Sequence, residues 1–114
     1  MTTGELAAVC GFTHAAGDGA REIEGIFTGD LLSWAMGRAK EGDAWFTVMG
    51  NVNTVAVAAL ADCACAVLCH GAQWDAEAVR KAGMQGVELY VTELPEFEAS
   101  YLAAVTLELP PPSP

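Results

Sequence analysis

The sequence predicts a three-layer α/β/α domain in which a small parallel or mixed sheet of four or five strands lies between helices. From Ile23 onward, candidate strands and helices alternate as β-α-β-α-β-α-β-α, an order typical of parallel sheets with right-handed crossovers. The candidate strands are unbroken apolar runs, as expected for strands covered on both faces. Hydrophobic residues make up 53% of the 114 residues, which is enough for one compact core.

The first elements are indicated by capping and turn residues. Thr2 and Glu5 have the spacing of a capping box, and Gly11 is placed to end the helix that follows. Two short strands are predicted next, at 12–16 and 23–28, on either side of the turn sequence Gly-Asp-Gly at 17–19.

Each later strand is followed by a helix. Asp30 is expected to cap a helix with the apolar stripe Leu31, Leu32, Ala35, Met36 and Ala39. One of Asn51 and Asn53 is expected to cap the next helix, which runs to about residue 61. The remaining predictions are strands at 44–49, 63–69 and 87–91 and helices from Asp75 to Gly83 and from 95 to about 104.

The domain is predicted to span residues 1–106 and to be followed by a Pro-rich, disordered tail at 107–114. The acidic N-terminus lacks the basic and apolar regions of a signal peptide, so a cytoplasmic location is expected. The formal charge of −10 disfavours nucleic acid and membrane surfaces as partners.

Three of the four cysteines fall close together, at Cys63, Cys65 and Cys69. On one strand their side chains share a face and are spaced by about 6.6 and 13 Å. A zinc site needs its sulfurs within about 4 Å of one another. The pattern therefore favours cysteine as a small buried hydrophobe over a metal or redox site.

The strand-to-helix loops are the better candidates for ligand binding. In parallel sheets, ligands bind beyond the carboxyl ends of the strands, where helix N-termini present free N–H groups. The residues that we expect to line this edge are Gly29, Asp30, Gly50, Asn51, Asn53, Thr54, Gly71 and Thr92, and Arg21 is a further candidate, either to bind an anion or to be fixed by a carboxylate of the chain. The alternative is that these residues only form turns and cap helices.

No catalytic constellation is visible. The chain lacks G-x-x-x-x-G-K-[ST], G-x-G-x-x-G, G-x-S-x-G and H-E-x-x-H. The carboxylate pairs Glu22/Glu24 and Glu96/Glu98 are interpreted as solvated residues rather than acid/base couples. We therefore predict no enzyme activity, no catalytic residue, no bound metal and no cofactor.

The segment from Arg21 to Gly71 resembles a DRTGG domain. The resemblance is carried by Arg-x-x-x-Gly at Arg21 and Gly25, by GDLLSWAMGRAKEGDAWFT and by NVNTVAVAALAD, and it extends more loosely from Leu6 to Leu102. The motif's first Asp corresponds here to Ala20 and its second Gly to Ile26. The resemblance implies a small α/β module similar to the N-terminal domain of HPr kinase/phosphorylase, found beside CBS pairs or alone, with a regulatory role.

Two functions are consistent with these observations. The first is a non-catalytic regulatory module that senses a small anionic or nucleotide-like ligand at the strand-end loops. The alternative is a protein-interaction module, expected to be a homodimer, that binds no small ligand. The alternative is motivated by the apolar excess of so short a chain, including Trp34, Trp45 and Trp74, some of which could contact a partner protein.

Overall fold

The structure, a computed structural model, describes residues 1–113 and contains a five-stranded mixed sheet between two helical layers. The strand order is β1-β5-β4-β3-β2, with β1 antiparallel to β5 and all other neighbours parallel. The elements are α1 (Thr3–Cys10), β1 (Thr13–Ala16), β2 (Gly25–Thr28), α2 (Leu32–Arg38), β3 (Asp43–Thr47), α3 (Val52–Leu60), β4 (Cys65–Leu68), α4 (Ala76–Gln85), β5 (Leu89–Val91) and α5 (Glu96–Thr106). The predicted fold class is confirmed.

The sheet separates two apolar clusters. Helices α2, α3 and α4 cover one face, where Trp45, Leu68 and Trp74 are buried. Helices α1 and α5 cover the other face, where Leu6, Phe46 and Val67 are buried. Every residue of β3 and β4 is buried, as the unbroken apolar runs predict.

Two of the predicted helix ends are confirmed by their hydrogen bonds. The Thr2 hydroxyl accepts from the Glu5 backbone N–H, and the Glu5 carboxylate accepts from the Thr2 N–H, so the capping box is formed. At α3 the cap is Asn51, whose Oδ1 accepts from the backbone N–H groups of Asn53 and Thr54. These local signals succeed because each joins residues within one turn.

Two other predicted ends are wrong. Asp30 does not cap α2: the N-cap residue is Leu31, and no side chain bonds to the helix start. Gly83 does not end α4, which continues to Gln85 and is closed by Gly86 at φ 70°. A glycine is tolerated inside a helix, and the left-handed residue that closes α4 lies three positions later.

The predicted shared face of the three cysteines is also wrong. Strand β4 begins at Cys65, so Cys63 lies before the alternation starts. Cys63 packs with the α2–α4 cluster, whereas Cys65 and Cys69 pack with the α1–α5 cluster. All three thiols are nevertheless buried, consistent with their interpretation as small hydrophobes.

The expected apolar stripe of α2 is only partly buried. Ala35 is fully covered, but Leu31 and Met36 are exposed. Trp34 is 57% exposed and lies under the Arg38 guanidinium, at 4.2 Å from the ring centroid. Trp45 and Trp74 belong to the core instead.

Residues 107–113 continue from the last helix. The Leu109 N–H donates to the Ala104 carbonyl, and Leu109 with Pro110–Pro112 lines a cavity that residues of α5 and β2 also line. The division into a domain at 1–106 and a tail stays a prediction, and Pro114 lies outside the described residues. Within residues 1–113, none of the helices has both the length and the apolar character needed to cross a membrane.

Candidate functional site

The candidate site lies at the carboxyl edge of the sheet, because β2, β3, β4 and β5 are parallel. Each of these strands ends there in a loop that holds predicted residues. The residues at this edge are Gly29, Asp30, Gly50, Asn51, Asn53, Thr54, Gly71 and Thr92. The topology therefore brings eight of the nine candidates to one edge; whether they bind a ligand stays a prediction.

Gly50 is the point at which two of these loops meet. A Cβ atom at Gly50 would lie 2.6 Å from the Gln73 carbonyl oxygen. The Gly50 carbonyl accepts from the Asp75 backbone N–H at 2.8 Å. Gly50 thus holds the loop before α3 against the loop before α4, and any side chain here would force the loops apart.

The N-terminus of α3, like that of α2, has no acidic residue in its first turn. The first turns of α4 and α5, in contrast, contain Glu77 and Glu96. The N–H groups of a first turn carry partial positive charge, and at α3 two of them already donate to the Asn51 side chain. An anion is therefore favoured more at α3 than at the starts of α4 and α5, and the carboxylate of Asp30 lies two positions before α2.

The polar side chains around α3 differ in whether they already form hydrogen bonds within the protein. The Asn51 oxygen is occupied by its capping bonds, and the buried Thr54 hydroxyl donates to the Met49 carbonyl at 2.7 Å. The side chain of Asn53 is exposed. Asn53 therefore has the most exposed side chain of the three; whether it contacts a ligand stays a prediction.

Gly71 lies beside a small cavity of about 100 Å³ that Gln73 and Thr92 also line. Both His70 and Gly71 have positive φ angles, 62° and 71°. A Cβ atom at Gly71 would lie 2.4 Å from the Glu93 carboxylate. The Thr92 hydroxyl accepts from the Leu94 N–H, so this part of the edge is closely packed.

A pair of carboxyl groups occupies the β2 end of the same edge. One oxygen of Asp30 accepts from the Thr47 hydroxyl at 2.8 Å and from the Val48 N–H at 2.9 Å. The pKa of Glu96 is raised to about 7, first by loss of solvation and then by a hydrogen bond and repulsion from Asp30. Glu96 is thus only partly exposed, whereas Glu22, Glu24 and Glu98 are exposed, as the solvated interpretation expects.

Arg21 lies at the opposite, amino edge of the sheet. Its guanidinium bonds to the Asp62 carboxylate at 3.1 Å and to the Asp62 carbonyl at 3.0 Å. It lines a cavity of about 500 Å³ together with Asp18 and Glu88. Arg21 does not join the eight other candidates, because it precedes β2 whereas the others follow strands.

Glu88 is the main polar residue that sequence reasoning missed. Its buried carboxylate accepts from the Thr3 hydroxyl at 2.6 Å, the Gly19 N–H at 2.8 Å and the Arg21 N–H at 3.2 Å. It thereby joins α1 and the 17–21 loop to β5. The signal was a lone charged residue inside the apolar run VELYV at 87–91.

The thiols do not contribute reactive groups. Burial raises the pKa of both Cys63 and Cys69 to about 12, and burial also raises the pKa of Cys65. Thiols with raised pKa values stay protonated near neutral pH, and only thiolates attack substrates or bind metals. Within residues 1–113, no three His, Cys, Asp or Glu side chains are grouped so that they could hold a metal ion.

Comparison with solved structures shows the same fold in a regulatory region. The crystal structure of the CBS and DRTGG domains of the regulatory region of Clostridium perfringens pyrophosphatase, complexed with the activator diadenosine tetraphosphate, superposes with a TM-score of 0.70 at 12% identity. The match covers 86% of this chain and 44% of that one, so this chain spans less than half the length of its neighbour. No family model matches the chain, and neither does any curated protein.

Proposed function

We propose that the chain is a DRTGG-like, non-catalytic regulatory module that senses a small anionic or nucleotide-like ligand at the N-terminus of α3. The observation that carries this proposal is the start of α3, which lies at the carboxyl edge, has no carboxylate in its first turn and presents the exposed Asn53. Backbone N–H groups at a helix start are a common binding site for anions; at α3 an anion takes the place of the Asn51 side chain, which accepts from the N–H groups of Asn53 and Thr54 in the free protein.

The similar regulatory region supports this proposal at the level of fold. That protein's region was crystallised with a nucleotide activator, and it contains a domain of the family that our chain resembles. Among the described residues, no buried thiol or paired His and Cys supplies an activated nucleophile. The geometry thus favours binding over catalysis.

The proposal is tested by thermal unfolding of the whole chain with phosphate, pyrophosphate, AMP, ATP and diadenosine tetraphosphate. A ligand present at 100 times its dissociation constant adds about 2.7 kcal/mol to the free energy of unfolding. We expect at least one phosphate-bearing compound to raise the melting temperature. A flat response across the whole panel would contradict the proposal.

The site is tested with Asn53→Asp. The new carboxylate lies in the first turn of α3, where it stabilises the free protein by about 0.3–1 kcal/mol but repels an anion. We expect ligand affinity to fall at least tenfold in calorimetry. Gln85→Glu adds the same charge at the exposed C-terminal end of α4 and serves as the control; loss of affinity in this variant alone would place the ligand in the cavity beside Arg21.

Protein interaction is the second candidate function. The observation in its favour is the exposed apolar surface of α5, where Phe97 is 76% and Tyr101 62% exposed. The two rings stack, with centroids 5.9 Å apart. Homodimerisation through this surface stays a prediction, and the chemistry of its occupant is considered next.

A further inference from the structure

Strand β2 is an open edge of the sheet. It is the last strand in the order and pairs only with β3. Apart from that pairing, no backbone hydrogen bond to residues 25–28 occurs within the described chain. The Glu24 N–H donates to the Gly42 carbonyl and therefore points toward β3. Because the direction of the backbone amides alternates along a strand, the N–H groups of Gly25 and Phe27 point away from β3, toward the open edge.

An uncharged groove of about 730 Å³ runs beside this edge. The side chain of Ile26 faces it from β2, and Phe97 and Tyr101 face it from α5. The other lining residues are also uncharged: Thr28, Ser100, Ala104, Val105, Leu109 and Pro110–Pro112. An open strand beside a groove with apolar side chains is the arrangement that binds extended peptides by strand addition.

The exposed apolar area is of the size that a peptide needs rather than a large protein. A fully covered aromatic side chain buries about 150–250 Å², and Phe97 and Tyr101 are each more than half exposed. Together with Val105 they offer a few hundred Å², whereas a standard interface between two proteins buries about 800 Å² on each partner.

The surroundings of the groove are acidic. Glu24 immediately precedes β2, and Glu98 is exposed beside Phe97 on α5, in a chain whose formal charge is −10. None of the five Lys and Arg residues lines the groove. A second copy of this chain would bring the same carboxylates into contact, while a basic partner would neutralise them.

We infer that β2 and the groove bind an extended segment of a partner protein that has apolar residues at alternate positions and a basic residue at each end. The segment adds a strand to β2, and its apolar side chains enter the groove between Ile26 and Phe97. The basic residues at the ends of the segment complement the acidic surface around the groove, to which the formal charge of −10 contributes. This inference deepens the second candidate function and does not depend on ligand sensing.

The test uses a panel of fluorescent, end-blocked heptapeptides. The second, fourth and sixth positions are apolar (Val, Leu, Ile or Phe), and the third and fifth positions are Thr. In each peptide the two terminal residues are the same, either Lys, Gln or Glu, so that only the charge of the ends changes. Fluorescence polarisation with the full chain should show binding by members with Lys ends, at least tenfold tighter than by their Glu counterparts. No binding at millimolar concentration, or equal binding with Glu ends, would overturn the inference.

Strand addition is tested by methylating the backbone nitrogens of the tightest peptide. One isomer is methylated at the odd positions and the other at the even positions. Only one set of amides faces β2, so one isomer should lose binding at least tenfold and the other should keep it within about threefold. Loss in both isomers, or retention in both, excludes strand addition.

The groove is tested with Phe97→Ala and Tyr101→Ala. Both side chains are largely exposed, so the fold should persist, and peptide affinity should fall at least tenfold in the double variant. Leu60→Ala and Met84→Ala remove equally exposed apolar side chains from α3 and α4 and should leave affinity within twofold. An equal loss in both pairs would overturn the groove as the binding site.

A second copy of the chain is the competing occupant. Sedimentation of the unliganded protein at high concentration should show a monomer. A dimer that dissociates on Phe97→Asp would overturn the inference in favour of self-association. Asn53→Asp should not change peptide binding, so failure of ligand sensing and failure of peptide binding are distinguishable.

Discussion

At the amino edge of the sheet, the carboxylate of Glu88 accepts three hydrogen bonds, whereas at the carboxyl edge the carboxyl group of Glu96 faces that of Asp30. Both edges carry an acidic residue close to a strand, but their neighbours differ. Hydrogen-bond donors surround the Glu88 carboxylate, whereas the neighbour of Glu96 is another carboxyl group, that of Asp30. The first edge therefore contributes stability, while the second keeps a carboxyl group whose protonation a change of pH near neutrality affects.

Two glycines also differ in how closely they are packed. A Cβ atom at Gly50, on the carboxyl edge, would collide with the Gln73 carbonyl, whereas a Cβ atom at Gly83, which is exposed on α4, would meet nothing within 4 Å. Glycine is required where two loops approach each other and is unnecessary on the surface of α4. Substitutions at these two positions therefore test the close approach of the loops before α3 and α4.

The largest expected effect follows from Glu88→Ala. This change leaves the donors of Thr3, Gly19 and Arg21 without their acceptor, and each unsatisfied buried donor costs about 1–3 kcal/mol. We expect the free energy of unfolding, measured in urea, to fall by about 3 kcal/mol or more. Glu41→Ala, at an exposed position, is the control; a similar small loss in both variants would show that Glu88 does not organise the amino edge.

An intermediate effect is expected from Gly50→Ala. The added Cβ meets the Gln73 carbonyl at 2.6 Å, and overpacking of this kind costs about 1–3 kcal/mol. Gly83→Ala is the matched substitution inside α4, where alanine should stabilise the helix by about 0.8–1 kcal/mol. The melting temperature should fall in Gly50→Ala and rise in Gly83→Ala. A change of the same sign in both variants would contradict the close packing at Gly50.

The smallest effect is the pH dependence due to Glu96. Its pKa is raised from 4.5 to about 7, so the folded protein retains a proton that the unfolded chain releases. The stabilisation is fully present below pH 4.5 and is lost as the pH rises to about 7. Glu96→Gln should therefore gain stability relative to the wild type over this interval.

Urea unfolding at several pH values measures this difference. Glu98→Gln removes a charge from the same turn of α5 and serves as the control. A stability difference between wild type and Glu96→Gln that does not vary between pH 4.5 and 7 would contradict the coupling between Glu96 and Asp30.

Local sequence signals predicted the parts of the fold that depend on neighbouring residues. The capping box at Thr2, the cap at Asn51 and the buried strands β3 and β4 follow from patterns a few residues long. The alternation of these elements was sufficient to place the eight loop residues at one edge, because parallel strands share their carboxyl ends.

Contacts between distant parts of the chain decided the rest. Asp30 turns from the helix start to Thr47, 17 positions away, and Glu88 bonds to Thr3, 85 positions away. The Cys63 side chain packs on the opposite face of the sheet from those of Cys65 and Cys69, because strand β4 begins only at Cys65.

The sequence by itself thus determined the order and type of the elements, since periodicity and capping act over one or two turns. Only the tertiary structure decided which carboxylates meet donors and which meet each other, and which strand forms the open edge. Burial and hydrogen bonding of these groups depend on residues that the sequence separates and the sheet brings together.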